Sequence, residues 1–181
     1  MEVFWAKGYE AASLCDLTEA MGLSKSSFYD TFGGKNDLFV AAIDRYRETV
    51  QAKFLAELQA RRRETGSARA AIAALFDQMV DSAVRPDGGH GCFLGNCAVE
   101  IAGSDAKAAA RVRAAMKATE NAYHEAVKAG QDQGEIALDR DARALARSLT
   151  SSQNGLLVMA KLDPDEAALR DIAKLAVSVL D

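Results

Sequence analysis

The stretch from Ser13 to Leu38, SLCDLTEAMGLSKSSFYDTFGGKNDL, leaves little freedom in how it folds. Leu14, Leu17 and Met21 recur at three- and four-residue steps, the period of a helix that buries one side. Gly22 then offers the left-handed conformation through which a chain leaves a helix. Ser24 follows with a hydroxyl able to accept from the open amides of a next turn. The spacing predicts a second helix from Lys25 to about Phe32, with Phe28 and Phe32 on one side. Lys25, Ser26, Ser27, Tyr29 and Thr31 surround the rest. So short a helix is unstable alone and must pack on its neighbours. Two short helices joined by a glycine turn, the second bristling with small polar and basic groups, form a helix-turn-helix layout. Such a second helix is slim enough to enter the major groove of duplex DNA.

The run from Phe4 to Phe39 carries GYEAASL, then L-x-x-AMG-L-S-K-S-S-F-Y, then F-G-x-K-x-x-L-F. In this order and spacing it resembles the N-terminal domain of the tetracycline-repressor (TetR) family of one-component regulators. The resemblance implies an all-α protein: a three-helix DNA-binding head over residues 1–40 and a larger helical body, for effector binding and dimerisation, over 41–181. It also implies which residues meet DNA. Lys25, Ser26, Ser27 and Thr31 match positions that touch base edges or nearby phosphates, while Tyr29 and Lys35 match a phosphate-gripping pair. The residues agree on Lys35, because it opens a helix whose N-terminal amides favour an anion. Ser13 is expected to cap the first of the two helices and to present that end to a phosphate. Cys15 lies off the Leu14/Leu17/Met21 stripe and so is expected toward the groove, although the family counterpart is usually polar or basic. The bland reading of this whole set is a solvated helix surface.

Charge runs against a DNA-binding role. The 181-residue chain has a formal net charge of −4, whereas DNA binders usually show a basic footprint. Residues 1–50 do not reverse the sign: Lys7, Lys25, Lys35, Arg45 and Arg47 stand against Glu2, Glu10, Asp16, Glu19, Asp30, Asp37, Asp44 and Glu48. Either the cations are focused on the docking face, where local field outweighs total charge, or a basic N-terminal arm is missing. Helix 1 has only Phe4, Trp5 and Lys7 before the Gly8-Tyr9 exit, shorter than is usual in the family, and is expected to be truncated.

Apolar residues make up 49 % of the chain and prolines number two, favouring helices throughout. No stretch alternates apolar and polar residues over a strand's length, no apolar run approaches the roughly 20 residues of a membrane span, and no leader pattern opens the chain. Cys15, Cys92 and Cys97 form no Cys-x-x-Cys pair, which argues for reduced thiols and a cytoplasmic protein. Only His90 and His124 accompany them, too few for a compact zinc site, so no metal or cofactor is expected.

Beyond Gly33-Gly34 one long helix is expected from Lys35 to about Arg62, with Phe39, Ile43, Tyr46, Val50, Phe54 and Leu58 inward. Ser67 should cap a helix carrying Ile72, Leu75, Phe76, Met79 and Val80 inward, ended by Pro86-Asp87-Gly88-Gly89. A shorter helix starts near Phe93 and closes at Gly103. Asp105 should cap a long one to about Gly130 and Asp139 another to about Lys161. Asp163, with Pro164 behind it, should start the last.

Phe76, Met79, Phe93, Asn96, Tyr123 and Asn154 are candidates to line an effector cavity, or simply core. Cys92, at a helix start, is either a small buried residue or a sensor thiol of lowered pKa. The GC-x-x-x-N segment around it resembles one in family members that respond to oxidants or electrophiles. Ala142, Leu145, Ala146, Leu149, Leu156 and Ala160, with Leu169, Ile172, Ala176 and Val179, are expected to form a dimer seam between the last two helices of two copies. The phosphate-loop motifs GxGxxG and GxxxxGK[ST] are missing and nothing resembles a nucleophile elbow, so no catalytic role is expected. The chain therefore reads as a DNA-binding transcriptional regulator, a repressor acting as a homodimer on a palindromic operator and released by a small-molecule or thiol-reactive effector. The alternative is a helical protein-interaction module that does not bind DNA.

Overall fold

The computed structural model describes residues 1–85, 89–101 and 105–181. The expected stop at Pro86-Asp87-Gly88 and the closure at Gly103 lie outside these residues. Within them the chain is helical, without strands: α1 (Glu2–Lys7), α2 (Leu14–Met21), α3 (Lys25–Phe32), α4 (Lys35–Tyr46), a π-helical turn (Arg47–Gln51), α5 (Ala52–Thr65), α6 (Ala68–Ala83), α7 (Phe93–Ile101), α8 (Ala106–Asp132), α9 (Ala142–Leu162) and α10 (Glu166–Ser178). Among the described residues no helix is long and apolar enough to cross a membrane.

The chain forms two compact units, one of Met1–Gln51 with Phe93–Ala115 and one of Ala52–Cys92 with Met116–Asp181. This division differs from a cut at residue 40, because α7 and the start of α8 pack with the helix-turn-helix. Aromatic side chains explain why. Phe4 lies 5.1 Å from Phe39, and Trp5 lies 5.3 Å from Tyr46 and 6.1 Å from Phe93, ring centre to ring centre. Phe4, Phe39 and Phe93 are each only 1 % exposed. Truncating such a side chain to alanine typically costs about 3–5 kcal/mol, so this cluster ties α1, α4 and α7 firmly together.

The second unit is built on Leu58, Ile72, Phe76, Val80, Tyr123, Val127, Leu149, Leu156 and Leu169, with α6 packed against α5, α9 and α10. Its helix ends are pinned by side chains. Ser67 caps α6 by accepting from the Ala70 amide at 2.9 Å, and Glu135 accepts from the Ala68 amide at 2.8 Å and from the Ser67 hydroxyl. Arg170 bridges Asp77, Asp81 and Glu166 across α6 and α10.

Several expected boundaries shift. The helix from Lys35 is interrupted by the π turn, whose extra residue rotates the following face by about 100°. Gln51 therefore takes an inward place beside the half-buried Val50 and donates to the Ala115 carbonyl at 2.6 Å. α8 runs past Gly130 to Asp132. The cap of α9 is Asp141 rather than Asp139, because Gln131 donates to the carbonyls of Ala137 and Arg140 and holds those residues as a turn. The cap of α10 is Asp165 rather than Asp163, whose amide instead closes α9 onto the Met159 carbonyl.

Most of the residues expected at the seam are buried within the single chain. Leu149 and Leu156 are 0 % exposed and Leu169 is 1 %. Together with Ala142, Leu145, Ala146, Ala160 and Ala176 they belong to the chain's own core. Ile172 and Val179 are partly buried against the same core. The broad apolar face of each helix faces inward, because one chain's α6, α9 and α10 already satisfy it.

Candidate nucleic-acid interface

α2 opens with a reciprocal cap. Ser13 accepts from the Asp16 amide at 3.1 Å, and the Ser13 amide donates to Asp16 at 2.9 Å. Leu17 and Thr18 are buried, and Leu14 and Met21 half-buried. Gly22, at φ 64°, turns the chain toward Ser24, which caps α3 by accepting from the Ser27 amide at 3.1 Å. Phe28 is fully buried and anchors α3 from below. The opposite face is open: Lys25, Ser26, Ser27, Tyr29 and Thr31 are all exposed. Ser27 and Thr31 are held locally, the first hydroxyl 2.9 Å from that of Ser24 and the second donating to the Ser27 carbonyl at 2.7 Å. Lys25 and Ser26 make no side-chain hydrogen bond among the described residues. Cys15 is exposed on α2.

Lys35 begins α4, which no side chain caps. Its ammonium donates to the Glu10 carbonyl at 3.3 Å and lies 4.6 Å from the centre of the Tyr9 ring. Among the described residues it forms no ion pair, so its charge is not cancelled locally. An uncapped helix start beside an unpaired cation is suited to an anion such as a backbone phosphate.

Part of the acidic balance is neutralised within this unit. Asp16 meets Lys7 at 2.7 Å, Asp37 meets Lys107 at 3.2 Å, and Asp44 meets Arg47 at 3.1 Å and Arg111 at 3.6 Å. The Lys7 ammonium, the Ser13 amide and the Ser13 hydroxyl pull the Asp16 pKa down to about 2. Lys107 and Arg111 come from α8, too far along the chain for sequence reading to assign them. Glu100 on α7 was missed in the same way. Its carboxylate accepts from the Tyr9 and Glu10 amides, each at 2.7 Å.

The expected effector residues divide between the units. Phe76, Met79, Tyr123 and Asn154 belong to one, Phe93 and Asn96 to the other. In the second unit the Tyr123 ring is 6.5 Å from Phe76 and 6.0 Å from Phe54, and its hydroxyl donates to Gln153 at 2.8 Å. Complete burial drives the Tyr123 pKa upward, so the phenol stays neutral. Asn154 donates to the Thr150 carbonyl at 2.8 Å, while its own Oδ1 is buried and accepts no hydrogen bond among the described residues. In the first unit a cleft of about 460 Å³ is lined by Tyr9, Asn36, Phe39, Ile101, Asp105 and Lys107, among others. Cys92 and Cys97 are buried, at 8 % and 2 % exposure, and neither is in a disulfide. No group of three or more His, Cys, Asp or Glu residues that could hold a metal ion occurs among the described residues.

Comparison with known proteins agrees with this geometry. Residues 1–42 match the model of bacterial regulatory proteins of the tetR family, and residues 68–176 that of the tetracyclin repressor-like C-terminal domain. The chain is 35 % identical to the uncharacterized HTH-type transcriptional regulator YezE of Bacillus subtilis, over all of this chain and 92 % of that protein. It is 29 % identical to the HTH-type transcriptional repressor ComR of Escherichia coli, over 99 % of this chain and 83 % of that one. Among solved structures, the TetR family regulator CifR, a cysteine mutant complexed with 26-base-pair operator DNA, superposes with a TM-score of 0.84 at 28 % identity, covering 99 % of this chain and 92 % of CifR. An exposed helix-turn-helix and family matches over most of the chain lead to one conclusion: this protein belongs to the TetR family of bacterial transcriptional regulators.

Proposed function

We propose that the protein is a sequence-specific repressor that binds a palindromic duplex operator as a homodimer and is released by a small-molecule or thiol-reactive effector. Members of its family are DNA-binding regulators, not enzymes. The observation that carries the reading is the exposed face of α3, where Lys25, Ser26, Ser27, Tyr29 and Thr31 stand clear of the core beside Lys35. Lys25, Ser26, Ser27 and Thr31 read base edges, while Tyr29, Lys35 and the Ser13 end of α2 hold phosphates, with Cys15 beside them. The head of residues 1–40 thus recognises DNA and the rest senses and dimerises.

One short reading helix makes too few contacts for tight binding, which favours two copies on a two-fold site. The dimer seam runs over the outward side of α9 and α10. Val158 and Met159, each 49 % exposed, Leu162 at 77 % and Leu175 at 69 % leave apolar surface there that the monomer does not cover. Exposed apolar groups of this size on two packed helices suit an interaction surface. For the effector, the neutral Tyr123 phenol and the unpartnered Asn154 Oδ1 supply polar points among apolar neighbours, the mix a small-molecule site uses.

Selecting bound duplexes from a random pool tests the proposal. Inverted repeats with half-sites about one helical turn apart are expected, and a pool that yields no enriched sequence overturns it.

A further inference from the structure

We propose that Glu100 is a positioning residue for DNA binding: from α7 its carboxylate holds the Tyr9–Glu10 turn, and through that turn it fixes where Lys35 stands. The inference rests on Lys35 being a phosphate contact.

The contact is two-pronged. Oε2 accepts from the Tyr9 amide and Oε1 from the Glu10 amide, both at 2.7 Å, the short distance of charge-assisted bonds. Successive amides pointing at one anion form a cradle, which a carboxylate fills and a neutral group does not. The turn is shaped around that carboxylate. Gly8 has φ +82°, and a Cβ added there would sit 3.0 Å from each Glu100 oxygen. Conformation and space both therefore call for glycine at this point.

The other side of the same turn holds Lys35. The Glu10 carbonyl accepts from its ammonium at 3.3 Å, and the Tyr9 ring lies 4.6 Å beneath it. The two residues whose amides Glu100 fixes are thus the two that place the cation. A cation held by one neutral acceptor and a ring keeps donors for a phosphate, and the site loses them if the turn moves. α7 is fastened to the same region at its other end, where Phe93 packs on Trp5, Phe39 and Tyr46. A small axial shift of α7 would withdraw the carboxylate from both amides together, since hydrogen bonds fade steeply with distance and angle.

A double-mutant cycle on the intact protein tests the inference, using a duplex enriched from a random pool by the wild-type protein and followed by fluorescence anisotropy. Glu100→Gln keeps the side chain's shape but sets an amide donor against a backbone amide. It is expected to weaken binding roughly fivefold in the parent and less than roughly twofold in a Lys35→Ala background, because coupled residues are not additive. Each single variant should also lower the slope of log affinity against log salt by about one phosphate contact. Equal weakening in both backgrounds, an unchanged slope, or no weakening by Glu100→Gln would overturn the role of Glu100. A Lys35→Ala protein that binds like the parent would overturn the phosphate role of Lys35, a separate failure. Should Glu100→Gln melt well below the parent, Glu100→Asp, which keeps the charge and draws it back by one carbon, is read by the same cycle.

Discussion

The Lys7 ammonium stands 2.7 Å from the Asp16 carboxylate, joining the last turn of α1 to the first turn of α2. The same carboxylate completes the cap with Ser13. One side chain thus sets both the start of α2 and its attachment to α1.

Acid should loosen this junction. Asp16 titrates at about 2, below the ordinary carboxylate value of 3.8. The stabilisation it brings is therefore complete above the unfolded value and is lost as pH falls from about 4 toward about 2. Lys7→Ala removes the first cause of the shift, so the Asp16 pKa should rise toward the ordinary value. A carboxyl-carbon NMR titration of both proteins reads this directly, and an unchanged Asp16 pKa in Lys7→Ala would refute it.

Leu175→Asp and Leu149→Asp should behave differently. Leu175 is 69 % exposed and Leu149 is 0 %. The first substitution should split the dimer while leaving the melting temperature of the monomer within a few degrees. The second buries a lone charge among apolar side chains, an uncompensated cost of several kcal/mol, and should unfold the protein. Sedimentation velocity beside thermal melts separates the two outcomes, and an intact Leu175→Asp dimer would remove the proposed seam.

Gly130 lies inside α8, where alanine would ordinarily gain about 1 kcal/mol. Here the added Cβ would come within 2.8 Å of Ile136 Cδ1 and 3.1 Å of the Ala68 Cβ. Overpacking of this kind costs about 1–3 kcal/mol, which outweighs the gain in helix propensity. Gly130→Ala should lower the urea midpoint, and a raised midpoint would show that Ile136 swings aside without penalty.

Thiol reagents should find Cys15 first in the native protein, because it is exposed and both Cys92 and Cys97 are buried. Mass mapping after brief alkylation at neutral pH checks this. If Cys92 is modified ahead of Cys15, burial does not protect its thiol, and the thiol-sensor role gains support.

The features legible in the sequence are those carried by neighbours along the chain. Ser13, Gly22, Ser24, Ser67 and Asp105 each act within four residues, and each stands where its local chemistry placed it. What failed locally was the choice between equivalent groups. Asp139 and Asp141 are both acceptable caps, as are Asp163 and Asp165, and Gln131 decides the first pair from outside the motif. An apolar stripe says that a face is covered without saying by what. Leu149 and Leu156 are covered by the chain itself. The grip of Glu100 on the Tyr9–Glu10 turn had no sequence signal beyond a glutamate on a helix, since its partners lie about ninety residues away.

The central claim is that α3 reads bases while Lys35 grips the backbone. Duplex binding measured across a salt series, for the parent, Lys25→Ala and Lys35→Ala, tests it most directly. The account predicts strongly salt-dependent binding in the parent. Lys35→Ala should weaken every sequence alike and lower the salt slope by about 1, and Lys25→Ala should change which bases are preferred. Binding that ignores salt, or uniform weakening by both substitutions with base preference untouched, would contradict it.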